Sequence, residues 1–244
     1  MRKALNQNAP KALTKTIQLS EMLTREIAVG RYPDGTRLPT ERQMAENLGV
    51  AVGTLRRSLS ILEDRGLLRR IQGSGNYIRV QPEIESMYEF FRLELLDGGG
   101  TPTADVLSVR KIKKSERVPN IGPGSLAHCI RRIRYLEAIP VEVEEIWLDG
   151  RFIDQIEQHE LQDSLYNYYK ENLNVVIGSV TDTIGVCEVP SWAPDFFGLA
   201  AGSPCGLVER IGYDLTGEPV EFSQNWFNQN VCRYTNRLGK RQAS

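Results

Sequence analysis

The segment LPTERQMAENLGVAVGTLRRSLSILEDRGLLRRIQGSGNYI, residues 38–78, restricts the fold of this chain more than any other. Thr40 and Gln43 have the spacing of a capping box, which predicts that a helix begins at Thr40. Gly49 ends this helix and opens a short turn, after which a stripe of leucines predicts a further helix. The stripe consists of Leu55, Leu59 and Leu62. Two helices joined by a short glycine turn are typical of a helix-turn-helix.

Elements on both sides complete this pattern. An earlier helix, ending at Gly30, is predicted by apolar residues at helical spacing, namely Leu19, Leu23 and Ile27. After the leucine stripe, LLRRIQ and NYIRV flank Gly73-Ser74-Gly75, which favours a β-hairpin. Three helices and a β-hairpin make a winged helix-turn-helix. We predict it for residues 13–81, after a flexible lead-in at residues 1–12.

Charge is distributed unevenly along the chain. Residues 1–82 contain 14 Lys and Arg against 7 Asp and Glu, and the remaining residues contain 16 against 24. The formal charges are therefore +7 and −8, although the whole chain carries only −1. A basic N-terminal third indicates that this part alone meets a polyanion such as double-stranded DNA.

Length and composition indicate the number of domains and the class of protein. The 244 residues are enough for two domains, and 41 % apolar with 25 % charged residues is typical of globular proteins. Because no apolar run has the length of a membrane span and the N-terminus lacks a signal core, we expect a cytoplasmic protein without a membrane partner. The four cysteines form no CxxC pair, so we predict buried free thiols, no metal and no cofactor.

The pattern changes after a predicted linker at residues 82–85. Six stretches alternate like strands: DVLSVRKI, AHCIRRIRYLE, VEVEEIWL, VVIGSVTDTIGVCEV, CGLVERIGYDL and PVEFSQNWF. Helices are predicted between them at RFIDQIEQ, DSLYNYYKEN and APDFFGLA. The sequence therefore predicts an α+β domain with a mainly antiparallel sheet over residues 86–240.

Both parts resemble known bacterial regulators. Residues 38–78 resemble the winged helix of the GntR family through Leu38-Pro39-Thr40-Glu41-Arg42, Ala45, Leu48-Gly49-Val50, Thr54, Arg56, Leu59, Leu62, Gly66, Gly73 and Gly75. Residues 86–240 resemble the UTRA domain of the HutC-like subfamily, most specifically in Ser164-Leu165-Tyr166 and Gly217-Glu218-Pro219-Val220-Glu221-Phe222. The resemblance implies a chorismate-lyase-like second domain. It also implies a homodimeric repressor whose affinity for a palindromic operator changes when a small anionic effector binds.

The last helix of the winged helix-turn-helix is expected to enter the major groove with its N-terminal side chains. Arg56 and Arg57 lie near that end, and the arginine fork can pair with guanine. Arg42 is placed to meet a phosphate or a groove edge, and Thr54 suits a phosphate oxygen. The small hairpin tip, Gln72-Gly73-Ser74, can approach the minor groove.

Two features leave the base readout open. Arg56 and Arg57 could instead belong to a solvated helix face with salt bridges to Glu41 or Glu63. Many members of the resembled family carry an arginine or a polar residue where this chain has Val52-Gly53, and Ala51 gives the helix a poor cap. The operator therefore could differ from the common one of that family.

Side chains alternate between the two faces of a strand, and this strand parity groups the charged residues of the second domain. Arg132 and Arg134 are two apart and share a face, as do Glu142 and Glu144. Polar groups on the inner face of a sheet need a partner, and a ligand could be that partner. The alternative is that cross-strand ion pairs, Arg132 with Glu144 and Arg134 with Glu221, only hold the sheet together.

The resemblance assigns these residues to an effector. The side chains that would hold its phosphate or carboxylate are Arg132, Arg134 and Ser164, with Arg92 as a further contact. The side chains that would bind its polar remainder are Glu144, Tyr166 and Glu221.

Two other functions compete with an effector-controlled regulator. A chorismate-lyase-like enzyme fused to a DNA-binding domain is one, but the sequence offers no nucleophile–base pair, metal cluster or phosphate-cradling loop. A DNA-binding protein without an effector is the other, and the grouped arginines and glutamates speak against it. We predict a regulator and no enzyme.

Overall fold

The computed structural model describes residues 14–28, 31–79, 90–161 and 164–236. Their contacts divide the chain into two compact units. One holds the described residues up to Arg92 together with residues 234–236, and the other is Leu93–Arg233. The predicted lead-in, residues 1–12, and the predicted linker, residues 82–85, lie outside the described residues.

The N-terminal unit is the predicted winged helix-turn-helix. Its helices are α1 (Lys15–Ala28), α2 (Glu41–Asn47) and α3 (Val52–Asp64), and its hairpin pairs β1 (Leu68–Ile71) with β2 (Gly75–Ile78). The Thr40–Gln43 capping box is formed in both directions, and Gly49 turns the chain with a φ of 62°, a conformation that costs glycine little.

Buried apolar side chains hold this unit together. The predicted stripes face inward, and Leu23, Leu55 and Leu59 are at most 2 % exposed. Burying each such side chain contributes about 1.5–3 kcal/mol. Because α3 directs its leucines to the core, Arg56 and Arg57 are left on its exposed side.

The C-terminal unit is built on a six-stranded antiparallel sheet with the order β4-β5-β6-β9-β8-β7. Its strands match the six predicted stretches: β4 (Pro102–Lys113), β5 (Leu126–Leu136), β6 (Ile139–Asp149), β7 (Ile177–Glu188), β8 (Pro204–Asp214) and β9 (Pro219–Phe227). Two short strands that the sequence pattern did not predict, β3 (Leu93–Leu95) and β10 (Cys232–Tyr234), pair with each other. A strand of three residues is too short for its sequence to show alternating polar and apolar side chains, so the pattern did not indicate these two strands.

Helical structure in this unit is short. Helix α4 (Leu165–Tyr168) continues as one π-helical turn, Tyr169–Leu173. Two 3₁₀ turns span Gln158–Glu160 and Asp195–Phe197. The predicted helix over residues 151–158 is wrong. The Ile153 carbonyl there is bonded by the side chains of His128 and Lys111, at 2.9 and 3.1 Å. These tertiary contacts replace helical hydrogen bonding.

The register sorts the side chains of the sheet onto two faces. One face, which we call the polar face, carries Arg132, Arg134, Glu142, Glu144, Asp182, Arg210, Glu221 and Asn225. The other, the apolar face, carries Ile133, Val143 and Trp226, which pack with Phe197. The charged side chains that parity grouped therefore lie on one face.

Candidate DNA-binding and effector-binding sites

Arg56, near the start of α3, is paired with an acidic neighbour on α2. Its Nε donates to Glu41 Oε2 over 2.9 Å, and its Nη2 lies 2.8 Å from the same oxygen. The Arg56 side chain is 61 % exposed, and exposed pairs of this kind are worth about 0–1 kcal/mol. A phosphate or a guanine could therefore replace Glu41 at little cost.

The other predicted salt-bridge partner, Glu63, binds a different arginine. Arg70 Nε lies 2.9 Å from Glu63 Oε2, and Arg70 Nη2 donates to the Arg56 carbonyl over 3.3 Å. Strand β1 thereby braces the exposed side of α3. Arg42 and Arg57 are exposed and form no ion pair with any described residue.

The remaining predicted contacts lie at the start of α3 and at the hairpin tip. Thr54 is half-buried in the first turn of α3, and Ala51 caps that helix without a side-chain hydrogen bond. Gln72 and Gly73 are exposed, and Gly73 has a φ of 75°. Ser74 Oγ lies 2.7 Å from the Tyr77 hydroxyl, so the tip is held in one shape.

The polar face of the C-terminal unit brings two arginines to one carboxylate. Arg132 Nε donates to Glu144 Oε2 over 2.8 Å, and its Nη2 lies 2.6 Å from the same oxygen. Arg134 Nη1 lies 3.6 Å from Glu144 Oε1. All three side chains are at most 8 % exposed. The predicted Arg132–Glu144 ion pair is therefore present, and Glu144 is shared.

Helix α4 covers another part of the polar face. The Tyr166 hydroxyl donates to Glu221 Oε1 over 2.8 Å, and Ser164 caps the helix by accepting a hydrogen bond from the Asn167 backbone at 3.3 Å. Tyr169 lies in the following π-helical turn, and its ring centre is 6.0 Å from that of Tyr166, with the two rings tilted by 39°. Ser164 and Tyr166 thus sit on the element that faces Glu221.

The register contradicts one interpretation of the charged residues, and Arg92 lies at the boundary between the two units. The predicted Arg134–Glu221 ion pair is wrong, because Glu221 pairs through Leu148 with His128, six residues away from Arg134 along β5. Arg92 groups with the N-terminal unit and precedes the first strand of the C-terminal unit, and its carbonyl accepts a hydrogen bond from the Thr235 backbone.

The polar face also holds charged residues that the sequence pattern did not single out for the site. Arg210 of β8 makes two hydrogen bonds to Asp182 of β7, at 2.6 and 2.7 Å, and both side chains are less than 15 % exposed. Glu142 is buried, and its Oε2 has no hydrogen-bond partner among the described residues. Parity placed Glu142 with Glu144, but only the strand order could bring Arg210 to the same face.

Burial and neighbouring charges give the carboxyl groups of the polar face different pKa values. Burial, together with the charge of Glu144, raises the pKa of Glu142 to about 8. Burial also raises the pKa of Glu221. Burial opposes ionisation of Glu144 as well, but Arg132 and Arg134 outweigh it and lower the pKa of Glu144. At neutral pH Glu144 is ionised and Glu142 keeps its proton.

Comparison with known proteins identifies both units. Residues 15–78 match the family model described as bacterial regulatory proteins, gntR family, and residues 97–233 match the UTRA domain. The chain belongs to the GntR family. The predicted resemblance to HutC-like members with a UTRA domain is confirmed, and the chain is a DNA-binding transcription regulator, not an enzyme, with a ligand-binding C-terminal domain.

Individual relatives agree with this assignment. The HTH-type transcriptional regulator SmoD of Agrobacterium fabrum is 47 % identical over 227 residues, which cover 93 % of this chain and 97 % of SmoD. The mannosyl-D-glycerate transport/metabolism system repressor MngR of Escherichia coli is 25 % identical over 228 residues, covering 89 % of this chain and 93 % of MngR.

A solved structure shows the same fold for the C-terminal unit. The ligand-binding domain of a GntR-family regulator from Bordetella bronchiseptica aligns with a TM-score of 0.57 at 19 % identity, covering 62 % of this chain and 99 % of that domain.

Among the described helices of the GntR-family chain, none is both long and apolar enough to cross a membrane.

Proposed function

We propose that this regulator is a cytoplasmic homodimeric repressor that binds a palindromic operator and releases it when a small anionic effector binds to the polar face. The observation that carries this proposal is the sharing of Glu144 by two buried arginines, Arg132 and Arg134. Arginine side chains present a planar fork of N–H donors that matches a carboxylate or a phosphate, so two buried arginines side by side favour an anionic ligand.

A charge count supports an anion at this end of the polar face. Arg132 and Arg134 are positive, Glu144 is negative, and the pKa of Glu142 is raised to about 8, so Glu142 is largely neutral at pH 7. These four side chains therefore carry one net positive charge. A phosphate or carboxylate would neutralise it, with Ser164 donating its hydroxyl proton from the end of α4.

The rest of the polar face favours a hydroxyl-rich ligand. Glu221 and Tyr166 form a buried hydrogen-bonded pair, and buried carboxylates and phenols suit the hydroxyl groups of carbohydrates. MngR is named for a system that handles mannosyl-D-glycerate, a sugar joined to a carboxylate. We therefore propose a sugar acid or a sugar phosphate as the effector class.

On the DNA side, Arg56 is proposed to exchange Glu41 for a base or a phosphate, while Arg42, Arg57 and Thr54 contact the operator. The hairpin tip, Gln72-Gly73-Ser74, would meet the minor groove. The weak pairing of the exposed Arg56 makes this exchange inexpensive.

A homodimer is supported by one edge of the sheet. Strand β7 is the last strand in the sheet order, and on its polar-face side Ile184 and Val186 are 55 % and 79 % exposed. An exposed apolar edge strand is a template for pairing with another strand. Antiparallel pairing with β7 of a second copy would satisfy this edge and supply the two-fold symmetry of a palindromic operator.

Fluorescence anisotropy with DNA from upstream of the gene tests the first half of the proposal. The wild-type chain should bind with an affinity that falls as salt increases, since phosphate contacts release counterions. Absence of salt-dependent binding to this DNA would contradict a repressor of its own operon.

A thermal-shift screen of sugar acids and sugar phosphates tests the second half. The expected hit stabilises the wild-type chain and lowers its DNA affinity, and Arg134→Met should abolish both effects. Arg131→Met is the matched control, because Arg131 lies on the apolar face, where it pairs with Glu145. If no anion from the panel shifts the wild type, or if Arg134→Met responds normally, the polar face is not the effector site.

A further inference from the structure

Two cysteines face each other at the edge of the sheet, on the face opposite to the proposed effector site. Cys187 of β7 and Cys205 of β8 are direct partners in the antiparallel register, so their side chains leave the sheet on the same side. Opposed residues in such a ladder have Cα atoms about 4.5–5.5 Å apart, within the range of about 4.4–6.8 Å found for disulfides.

The Cys205 thiol also contacts Cys187 in the reduced protein. Cys205 Sγ donates to the Cys187 carbonyl oxygen over 3.5 Å. Burial, reinforced by the neighbouring Cys187 thiol and a hydrogen bond between the two side chains, raises the pKa of Cys205 to about 12. Cys187 Sγ in turn donates to the Glu188 carbonyl oxygen over 3.5 Å. Both side chains therefore have to rotate from these carbonyl oxygens before the two sulfur atoms can bond.

Of the two cysteines, Cys187 is the more accessible to a small molecule. Cys205 is 1 % exposed within the apolar core, whereas Cys187 is half-buried. Cys187 lines an open cavity of about 440 Å³ whose wall also includes Arg117, Gln224 and Trp226. A small reagent can thus reach Cys187 from the cavity but has no comparable approach to Cys205.

We propose that Cys187 and Cys205 form a reversible cross-strand disulfide, with Cys187 as the thiol that a small-molecule disulfide meets first and Cys205 as the thiol that resolves the adduct. Cys187 loses its proton to water and its sulfur attacks the reagent, which releases one thiol and leaves a mixed disulfide. Cys205 then loses its proton, attacks the Cys187 sulfur and releases the second thiol. Two protein thiols are oxidised by two electrons, and the reagent is reduced to two thiols.

The backbone hydrogen bonds define the position of the two cysteines in the ladder. Two residues further along, the Val189 backbone N–H donates to the Ser203 carbonyl over 2.9 Å, so Cys187 and Cys205 also occupy a hydrogen-bonded position. Side chains at such positions stand further apart than at the alternate ones. The Cα separation expected at such a position, about 5.5 Å, lies within the range found for disulfides.

Oxidised glutathione applied to the full-length protein, followed by alkylation under denaturing conditions and mass spectrometry, tests the proposal. Two of the four thiols should be lost in a linked peptide of Cys187 and Cys205, and dithiothreitol should restore both. Cys205→Ser should stop at a glutathione adduct on Cys187, while Cys187→Ser should leave Cys205 unmodified. Cys129→Ser, which removes a buried thiol of β5, is the matched control and should keep the bond.

Three outcomes would overturn the proposal. They are a wild-type protein in which all four thiols stay free, one in which the adduct on Cys187 persists, and one in which Cys187 links to a cysteine other than Cys205. None of these outcomes bears on DNA or effector binding.

Discussion

Glu142 and Glu144 lie two residues apart on the same face of β6, yet they differ in protonation. Two guanidinium groups lower the pKa of Glu144, whereas burial and the charge of Glu144 raise the pKa of Glu142 to about 8. One carboxylate therefore stabilises two buried cations, and the neighbouring carboxyl group is largely neutral at pH 7. The consequences of this division can be measured without knowing the effector.

Replacing Glu144 by Gln should destabilise the C-terminal unit strongly. The substitution removes the carboxylate that Arg132 and Arg134 share, and removing one partner of a buried ion pair typically costs about 3–5 kcal/mol. Urea denaturation gives the free energy of unfolding, and added sulfate or phosphate should recover part of the loss by pairing with the arginines. The matched control is Glu145→Gln on the opposite face, where the Arg131 side chain is 34 % exposed and can be hydrated, so a smaller loss is expected. Equal losses for the two variants would contradict the assigned role of Glu144.

Stability should depend on pH through Glu142. Its carboxyl has a pKa of 4.5 as a free group and about 8 in the folded protein. Between these values the folded state holds a proton that the unfolded state has released, so the free energy of unfolding falls as pH rises from about 5 to about 8. Glu142→Gln should flatten this dependence by a few kcal/mol, as measured by urea denaturation across the range. A variant with the same slope as the wild type would rule out Glu142 as the source.

At the scale of elements, the two helices of the helix-turn-helix begin differently. Helix α2 starts with the Thr40–Gln43 capping box, while α3 starts at Ala51, whose side chain makes no hydrogen bond to the helix. Free backbone N–H groups at the start of α3 are thus left for water or for a DNA phosphate. The sequence predicted this contrast, because a cap depends on only a few adjacent residues.

Supplying the missing cap should stabilise α3. Ala51→Ser adds a side-chain acceptor to the first turn and should raise the free energy of unfolding by about 0.5–1 kcal/mol, while Thr40→Ala should lower it by about 1 kcal/mol. Thermal or urea denaturation of the full chain measures both changes. No gain from Ala51→Ser would mean that another group already satisfies the start of α3.

The sequence predicts features that are set by residues close together in the chain, and it does not predict features that are set by contacts between distant strands. Strand parity placed Arg132 and Arg134 on one face correctly, because side-chain direction alternates within a single strand. The partner of Arg134 was predicted wrongly, and the Arg210–Asp182 pair was missed, since both depend on strand order and register across the sheet. The helix expected over residues 151–158 failed for the same reason, as contacts from β4 and β5 bind its backbone.

At the scale of the whole molecule, the N-terminal part of the chain is basic and the remainder is acidic. Residues 1–82 carry a formal charge of +7 and the remainder −8, so a polyanion is attracted to the first part and repelled by the second. Within the acidic remainder, Arg132 and Arg134 both lie on the polar face. Under the proposed function, they attract a small anion in a part of the chain that repels a nucleic acid.

Binding of effector and of operator should weaken each other by the same factor. If both ligands act on one two-state equilibrium, thermodynamic linkage requires that the fold-loss in operator affinity caused by saturating effector equals the fold-loss in effector affinity caused by saturating operator. Factors of about 5–150 are typical of such coupling. Anisotropy of labelled operator DNA gives the first factor, and calorimetric titration of the anion that stabilises the protein, with and without operator, gives the second. Arg131→Met should leave both factors unchanged, whereas Arg134→Met should remove both by abolishing effector binding. An effector that binds operator-bound and free protein equally tightly would show that the polar face does not control DNA binding, even if it binds the anion.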